Sequence, residues 1–249
     1  MNAERMLKIA LIGASGRMGQ AIEAAAGSEG FRDQVRIASR VTSRTTQAEL
    51  DQAIRSADVA VEFGTPASVE RTGSVCVAAG RPLLIGVTGL DSAFGARVRR
   101  WAERIPVLVA PNTSLGVAVL QGLVRDAARQ LAGVADVRIV EAHHRHKKDA
   151  PSGTARALGD AVAEGRGAPL AAGDYASLRA GDIVGEHQVI FALQGEQVIL
   201  EHRASDRAIF ARGALSAALW LNRARAGLFH MTDVLQKSEL AVDTRDSRP

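Results

Sequence analysis

The sequence predicts an α/β protein whose first half builds a parallel sheet with helices on both faces, followed by a smaller α+β unit with a mixed sheet. Three observations lead there. Short apolar runs alternate with helical stretches through the first half of the chain. A glycine-punctuated turn at residues 13–19 joins the first strand to the first helix. Beyond Ser114 the alternation gives way to a long helix, a strand, a polar run, a helix and two adjacent strands.

Each element follows from its residues. Residues 7–12 are an apolar run and read as a strand, and residues 18–26 carry helical spacing. Residues 35–39 are a second short strand. Residues 57–63 are a third, closed by Gly64, Thr65 and Pro66. A helix over 69–79 ends at Gly80, a strand follows at 82–87, and a charged helix spans 91–104. The strand at 106–110 is stopped by Pro111 and Asn112. In the second half, 117–131 is a long amphipathic helix, 134–140 a strand and 155–163 a helix. Residues 165–181, rich in Gly and Ala, read as loop. Residues 187–193 and 198–203 read as an antiparallel hairpin turning through 194–197. A strong helix covers 208–225, and the polar residues 236–249 read as frayed. The expected division is 1–114 as one domain and 115–206 as a second. Periodicity leaves open whether the final helix returns to the first domain.

Composition narrows the function classes. The chain has 249 residues, 47% of them hydrophobic, which excludes a disordered protein. Its net charge of +4 permits an anionic ligand without demanding nucleic acid. The single cysteine, Cys76, excludes an internal disulfide framework and fits a reducing cytosol. No apolar run approaches the roughly 20 residues a membrane span needs. The expectation is a soluble, cytoplasmic protein with no membrane and no nucleic-acid partner.

The turn Gly13-Ala14-Ser15-Gly16-Arg17-Met18-Gly19 sits between strand and helix, the context that gives a dinucleotide fingerprint its meaning. Gly13 permits the tight turn, Gly16 lets a pyrophosphate approach the backbone, and Gly19 lets helix and strand pack closely. The helix start offers free N–H groups to the phosphates. The spacing is G-x-x-G-x-x-G, and the alternative is a turn that is merely glycine-rich. About 20 residues on, an acidic residue would bind a ribose 2′-hydroxyl. This chain has Ser39-Arg40-Val41-Thr42-Ser43-Arg44 there. Arg40 and Arg44 suit a 2′-phosphate, which favours NADPH over NADH, with a solvated loop as the alternative.

Residues 141–154, Glu-Ala-His-His-Arg-His-Lys-Lys-Asp-Ala-Pro-Ser-Gly-Thr, place three of the six histidines within four positions after a strand. Such histidines can exchange protons near neutral pH. Lys147 and Lys148 can bind carboxylates or donate a proton, and Ser152, Gly153 and Thr154 open a helix able to hold an anion. Three other readings compete. A metal site is opposed by the adjacent cations and the lack of a nearby Cys. A nucleic-acid patch lacks interleaved aromatics. A solvated charged loop is the usual fate of such a run.

The same segment resembles the signature of the 4-hydroxy-tetrahydrodipicolinate reductase family of the lysine and diaminopimelate pathway. Residues 13–19, 85–89, 110–114, 179–187, 214–221 and 227–235 resemble further family motifs, so the likeness spans nearly the whole chain. It implies a Rossmann-like dinucleotide-binding domain, 1–114, completed by 207–249, and a substrate-binding and tetramerisation domain, 115–206, in a homotetramer. It implies that His143 is the acid/base and Lys147 a proton donor, with His144, Ser152, Gly153 and Thr154 on a substrate carboxylate. Gly13, Ala14, Ser15, Gly16, Arg17 and Met18 would hold one half of NADPH or NADH, joined by Arg40 on the spacing argument above rather than by the resemblance. Gly86, Val87, Thr88, Pro111, Asn112, Thr113 and Ser114 would hold the nicotinamide half. The implied activity is reduction of a cyclic dicarboxylate imine, with no resident metal. The chain departs from the family at Arg40, where an acidic residue is common, at Val87 for Thr, at Pro111 and Thr113 for Ala and Phe, and in a shortened segment before Gly181. A reductase of another small imino or amino acid, and a non-catalytic dinucleotide sensor, are the rival readings.

Overall fold

The structure, a computed structural model, describes residues 5–235. In chain order the first half holds β1 (Leu7–Ile12), α1 (Arg17–Ala26), β2 (Val35–Val41), α2 (Gln47–Ser56), β3 (Val59–Glu62), α3 (Pro66–Ala79), β4 (Leu83–Ile85), α4 (Phe94–Ala102) and β5 (Pro106–Val109). The second holds α5 (Leu115–Gln130), β6 (Asp136–His143), α6 (Gly153–Arg166), β7 (Tyr175–Arg179), β8 (Gly185–Leu193), β9 (Glu196–Ala204), α7 (Ala208–Leu221), β10 (Gly227–Phe229) and α8 (Met231–Val234).

Successive residues of a strand face opposite sides of its sheet. In β1 both sides are apolar, so the strand must be covered twice. Ile9 and Leu11 face a core shared with α1 and α7, while Ala10 and Ile12 face one built with α2, α3 and α4. All six strands of this sheet run parallel, in the order β10-β5-β4-β3-β1-β2. The chain leaves β1 in one direction for β2 and returns on the other side for β3. Such a reversal opens a crevice at the carboxyl ends of β1 and β3, the usual ligand position in an open α/β sheet.

The second sheet has the order β7-β6-β8-β9, with β7 parallel to β6 and the other pairs antiparallel. One face is covered by α5 and α6 around Val137, Ile139, Val189 and Phe191. The α7 helix then leaves this unit and packs against α1 on the first sheet, beside which β10 pairs with β5.

Several local expectations are corrected. Residues 165–181 are not simply loop: 175–179 form β7, an edge strand whose order comes from pairing with β6 rather than from any periodicity of its own. β6 runs three residues beyond 140, through Glu141 and His143, because those inward polar groups find partners. The hairpin loop is two residues, Gln194 and Gly195, with Gly195 at φ 84°. α2 was not anticipated, although Thr46 and Glu49 form a reciprocal capping box at its start. β10 was also unforeseen. The C-terminal residues expected to fray lie outside the described residues.

Candidate active site

The glycine turn lies at the crevice. A Cβ at Gly13, whose φ is 79°, would fall 2.6 Å from the backbone of Phe63 and Gly64 at the end of β3. A Cβ at Gly19 would meet the Gly13 carbonyl oxygen at 2.3 Å, so α1 packs against the turn as the spacing suggested. Gly16 gives α1 no capping side chain. Ala14 is buried, whereas Ser15, Gly16 and Arg17 are exposed and Met18 half-buried. An uncapped helix start at the switch point fits a pyrophosphate. Gly86, next along at the end of β4, sits under the Phe63 ring, 2.2 Å from where its Cβ would be. Val87 beyond it is buried and Thr88 exposed. Arg40 projects from β2 and pairs with Glu23 of α1 at 2.8 Å. That partner was not foreseen, and a 2′-phosphate would compete with it.

The loop after β5 joins the two halves. Pro111 is exposed, and the Asn112 side-chain amide donates to Thr154 Oγ1 at 2.8 Å, linking the parallel sheet to the start of α6. The Thr113 hydroxyl donates to the Phe210 carbonyl of α7, and Ser114 caps α5 at Val117.

A buried polar cluster occupies the end of the second sheet. Alternation along β6 puts Glu141 and His143 on the inward face, on the same side as Val137 and Ile139. His143 Nδ1 lies 2.5 Å from Glu141 Oε2. Arg179, opposite His143 on β7, donates to both Glu141 oxygens, at 2.6 and 2.8 Å. The Ser152 amide donates to Glu141 Oε1 at 3.2 Å. The Ser152 hydroxyl accepts from the Ala155 amide and lies 3.1 Å from His187 Nε2. His187 meets the edge of the His143 ring with centroids 5.0 Å apart. Its cross-strand partner His202 lies 3.5 Å from the Ser114 hydroxyl. Lys147 pairs with Asp149 at 2.9 Å, and His144 and His146 stand with ring centroids 6.4 Å apart.

The electrostatics follow from these contacts. Burial alone would raise the Glu141 pKa, but hydrogen bonds from Arg179, Ser177 and His143 outweigh it and hold the group at about 2. Burial lowers His143 below the ordinary imidazole value; Glu141 opposes this, while Lys147 and Arg179 reinforce it. Burial, with His143 nearby, lowers His187 to about 4. The resting cluster therefore contains one carboxylate, one guanidinium and neutral imidazoles at neutral pH.

Of the residues singled out in the sequence, His143 and Ser152 meet in this cluster, Asn112 and Thr154 meet beside it, and Lys147 is turned to Asp149. Arg40 stands apart on β2. Glu141, Arg179 and His187 were not singled out as site residues. The signal was present in the period-two alternation that puts Glu141 and His143 on one face; Arg179 and His187 become visible only through strand pairing.

A doubly wound parallel sheet with a glycine turn at its switch point, joined to a mixed-sheet unit carrying a histidine and lysine cluster, defines a nicotinamide-dinucleotide oxidoreductase. The comparisons specify which. The family model described as dihydrodipicolinate reductase, N-terminus, matches residues 7–113, and that described as dihydrodipicolinate reductase, C-terminus, matches 116–235. The chain is 43% identical to the 4-hydroxy-tetrahydrodipicolinate reductase of Zymomonas mobilis, over 94% of this chain and 99% of that protein. It is 40% identical to that of Thiobacillus denitrificans, over 92% and 98%. Among solved structures it resembles a dipicolinate-bound dihydrodipicolinate reductase from Paenisporosarcina, with a TM-score of 0.73 at 20% identity over 91% of this chain and 98% of that one. The chain belongs to the dihydrodipicolinate reductase family.

Proposed function

We propose that this chain reduces 4-hydroxy-tetrahydrodipicolinate to tetrahydrodipicolinate in lysine and diaminopimelate biosynthesis, with NADPH preferred and NADH possible. The observation that carries this reading is the cluster of His143, Lys147 and the start of α6, tied through Asn112 and Thr154 to the dinucleotide crevice. Residues 13–18 would hold the pyrophosphate, Arg40 a 2′-phosphate, and residues 86–88 and 111–114 the nicotinamide half. When bound, the reduced nicotinamide supplies the hydride.

The chain's own residues do the rest. Both polar groups of Ser152 are used internally, so α6 offers a carboxylate the amides of Gly153 and Thr154 together with the dipole of its first turn. Lys147 adds positive charge, and Lys147 and His144 add hydrogen-bond donors. His143 or Lys147 delivers the proton that completes the reduction, a role worth roughly 10²- to 10⁴-fold in rate for a positioned acid. A dianionic substrate beside His143 favours its protonated form, opposing the effect of burial, so binding charges the ring for that transfer. Among the described residues, 5–114 with 207–235 form the cofactor body and 115–206 the substrate body; closure between them brings the halves together. The chain works as a homotetramer in the cytoplasm.

The test is cofactor oxidation at 340 nm, with substrate generated in situ from pyruvate and aspartate semialdehyde and with NADPH and NADH in parallel. Turnover is expected, with His143→Gln and Lys147→Ala each lowering kcat and changing NADPH affinity little. No oxidation by folded protein that binds NADPH overturns the reading and points to another imine or to sensing. Unchanged turnover in both variants removes them from the mechanism.

A further inference from the structure

Glu141 is 1% exposed, and besides the Ser177 hydroxyl its two oxygens receive four contacts. Arg179 approaches both, the Ser152 amide takes Oε1, and His143 Nδ1 takes Oε2. An ionised carboxylate only accepts hydrogen bonds, so the imidazole proton must sit on Nδ1. That leaves Nε2 to carry the lone pair of the neutral ring. No protein group among the described residues hydrogen-bonds Nε2, and Gly185 stands beside it, where a Cβ would lie 3.1 Å from the nitrogen. We propose that Glu141, locked by Arg179, is the positioning residue for His143: it sets the ring's tautomer and orientation and makes Nε2 the atom that exchanges the proton. Arg179 is the second part of the device. By neutralising Glu141 it keeps the carboxylate from taking the proton itself and from over-stabilising the imidazolium.

The other charged and titratable groups near the ring are few. Lys147 comes from the loop after β6, Arg179 from β7 and neutral His187 from β8. At the start of α6 the contact with Glu141 is the backbone amide of Ser152. The two arms of the Glu141–Arg179 pair therefore act on His143 with opposite sign. In Glu141→Gln the amide NH₂ meets an Arg179 donor on either side, but at Oε1 it would also face the Ser152 amide, whereas at Oε2 it gains the His143 ring nitrogen as an acceptor. It therefore turns to the Oε2 side and donates to Nδ1, which moves the ring proton to Nε2 and disfavours the imidazolium. In Arg179→Met the carboxylate faces His143 uncompensated and favours the imidazolium.

The turnover arm of the test rests on the reductase reading; the spectroscopic arm does not. Full-length protein with ¹⁵N-labelled histidine is titrated by long-range ¹H–¹⁵N NMR, with His143 assigned from the missing resonance in His143→Gln. The wild type is expected to show a protonated Nδ1 and a bare Nε2 in the neutral ring. Glu141→Gln is expected to reverse that pattern, lower the His143 midpoint and cut kcat about 100-fold or more. Arg179→Met is expected to raise the midpoint, and Arg179→Lys, which retains a cation, to leave it near the wild-type value. A wild-type ring protonated on Nε2 overturns the proposal even if neither variant folds. So do midpoints that move together or not at all in the two variants, the signature of a merely structural contact. Absence of wild-type turnover with the expected tautomer would remove the reductase reading and leave the positioning role standing.

Discussion

Replacing Ser152 by Ala removes two interactions from one buried oxygen. The hydroxyl accepts from the Ala155 amide at 3.1 Å, capping α6, and it partners His187 Nε2 at 3.1 Å. Ser152 and His187 are 1% and 4% exposed, so water does not replace either contact. Loss of a Ser cap costs about 1 kcal/mol, and a buried ring nitrogen left without a partner costs roughly 1–3 kcal/mol more. The sum of roughly 2–4 kcal/mol lowers the melting temperature by roughly 4–16 °C for a chain of this size. The assay is thermal unfolding at pH 7, where His187 is neutral, repeated in a His187→Leu background. There the orphaned-nitrogen cost disappears, and Ser152→Ala should cost only the capping share, about 1 kcal/mol. A wild-type loss under 2 °C, or an equal loss in both backgrounds, would refute the assignment of two roles to one hydroxyl.

Three further outcomes follow from single contacts. Gly86→Ala puts a methyl into the Phe63 ring; it should cost about 1–3 kcal/mol by overpacking and weaken NADPH binding, with partial recovery in Gly86→Ala/Phe63→Leu, as read by chemical denaturation and nucleotide titration. Arg40→Ala should raise the KM for NADPH more than that for NADH, whereas equal changes in steady-state kinetics would leave Arg40 as a surface ion pair with Glu23. Glu62 is fully buried, and burial raises its pKa against the hydrogen bonds from Thr72, Gly64 and Ser68. A raised carboxyl favours the protonated form in the fold, so stability is lost as pH climbs from about 4.3, where the unfolded group ionises. Glu62→Gln should therefore gain on the wild type between pH 4 and 7 in urea midpoints, and a constant or shrinking gap would contradict the sign.

Much of this protein was legible in one dimension because its signals are local. The glycine turn between β1 and α1 states its own geometry: Gly13 and Gly19 stand where side chains would collide. The apolar strands β1, β3, β4 and β5 declare a sheet covered on both faces, since only a doubly packed strand has no polar side. The signature from Glu141 to Thr154 marked the place of the chemistry. Elements whose order comes from a neighbour were not legible. β7 and β10 are short edge strands held by pairing with β6 and β5, and the return of α7 to the first sheet is a long-range packing event. α2 differs, because the capping box of Thr46 and Glu49 at its start is itself a local signal in the sequence.

The sequence by itself determined the fold class, the crevice and the segment that carries His143 and Lys147, because patterning, turn chemistry and motif spacing are properties of adjacent residues. Tertiary structure alone decided what surrounds His143. Glu141 is two residues away, but Arg179 and His187 arrive from other strands through sheet register, and the Ser152 amide arrives from the start of α6. A protonation state depends on burial and on charges a few ångströms away in space, and register places those groups.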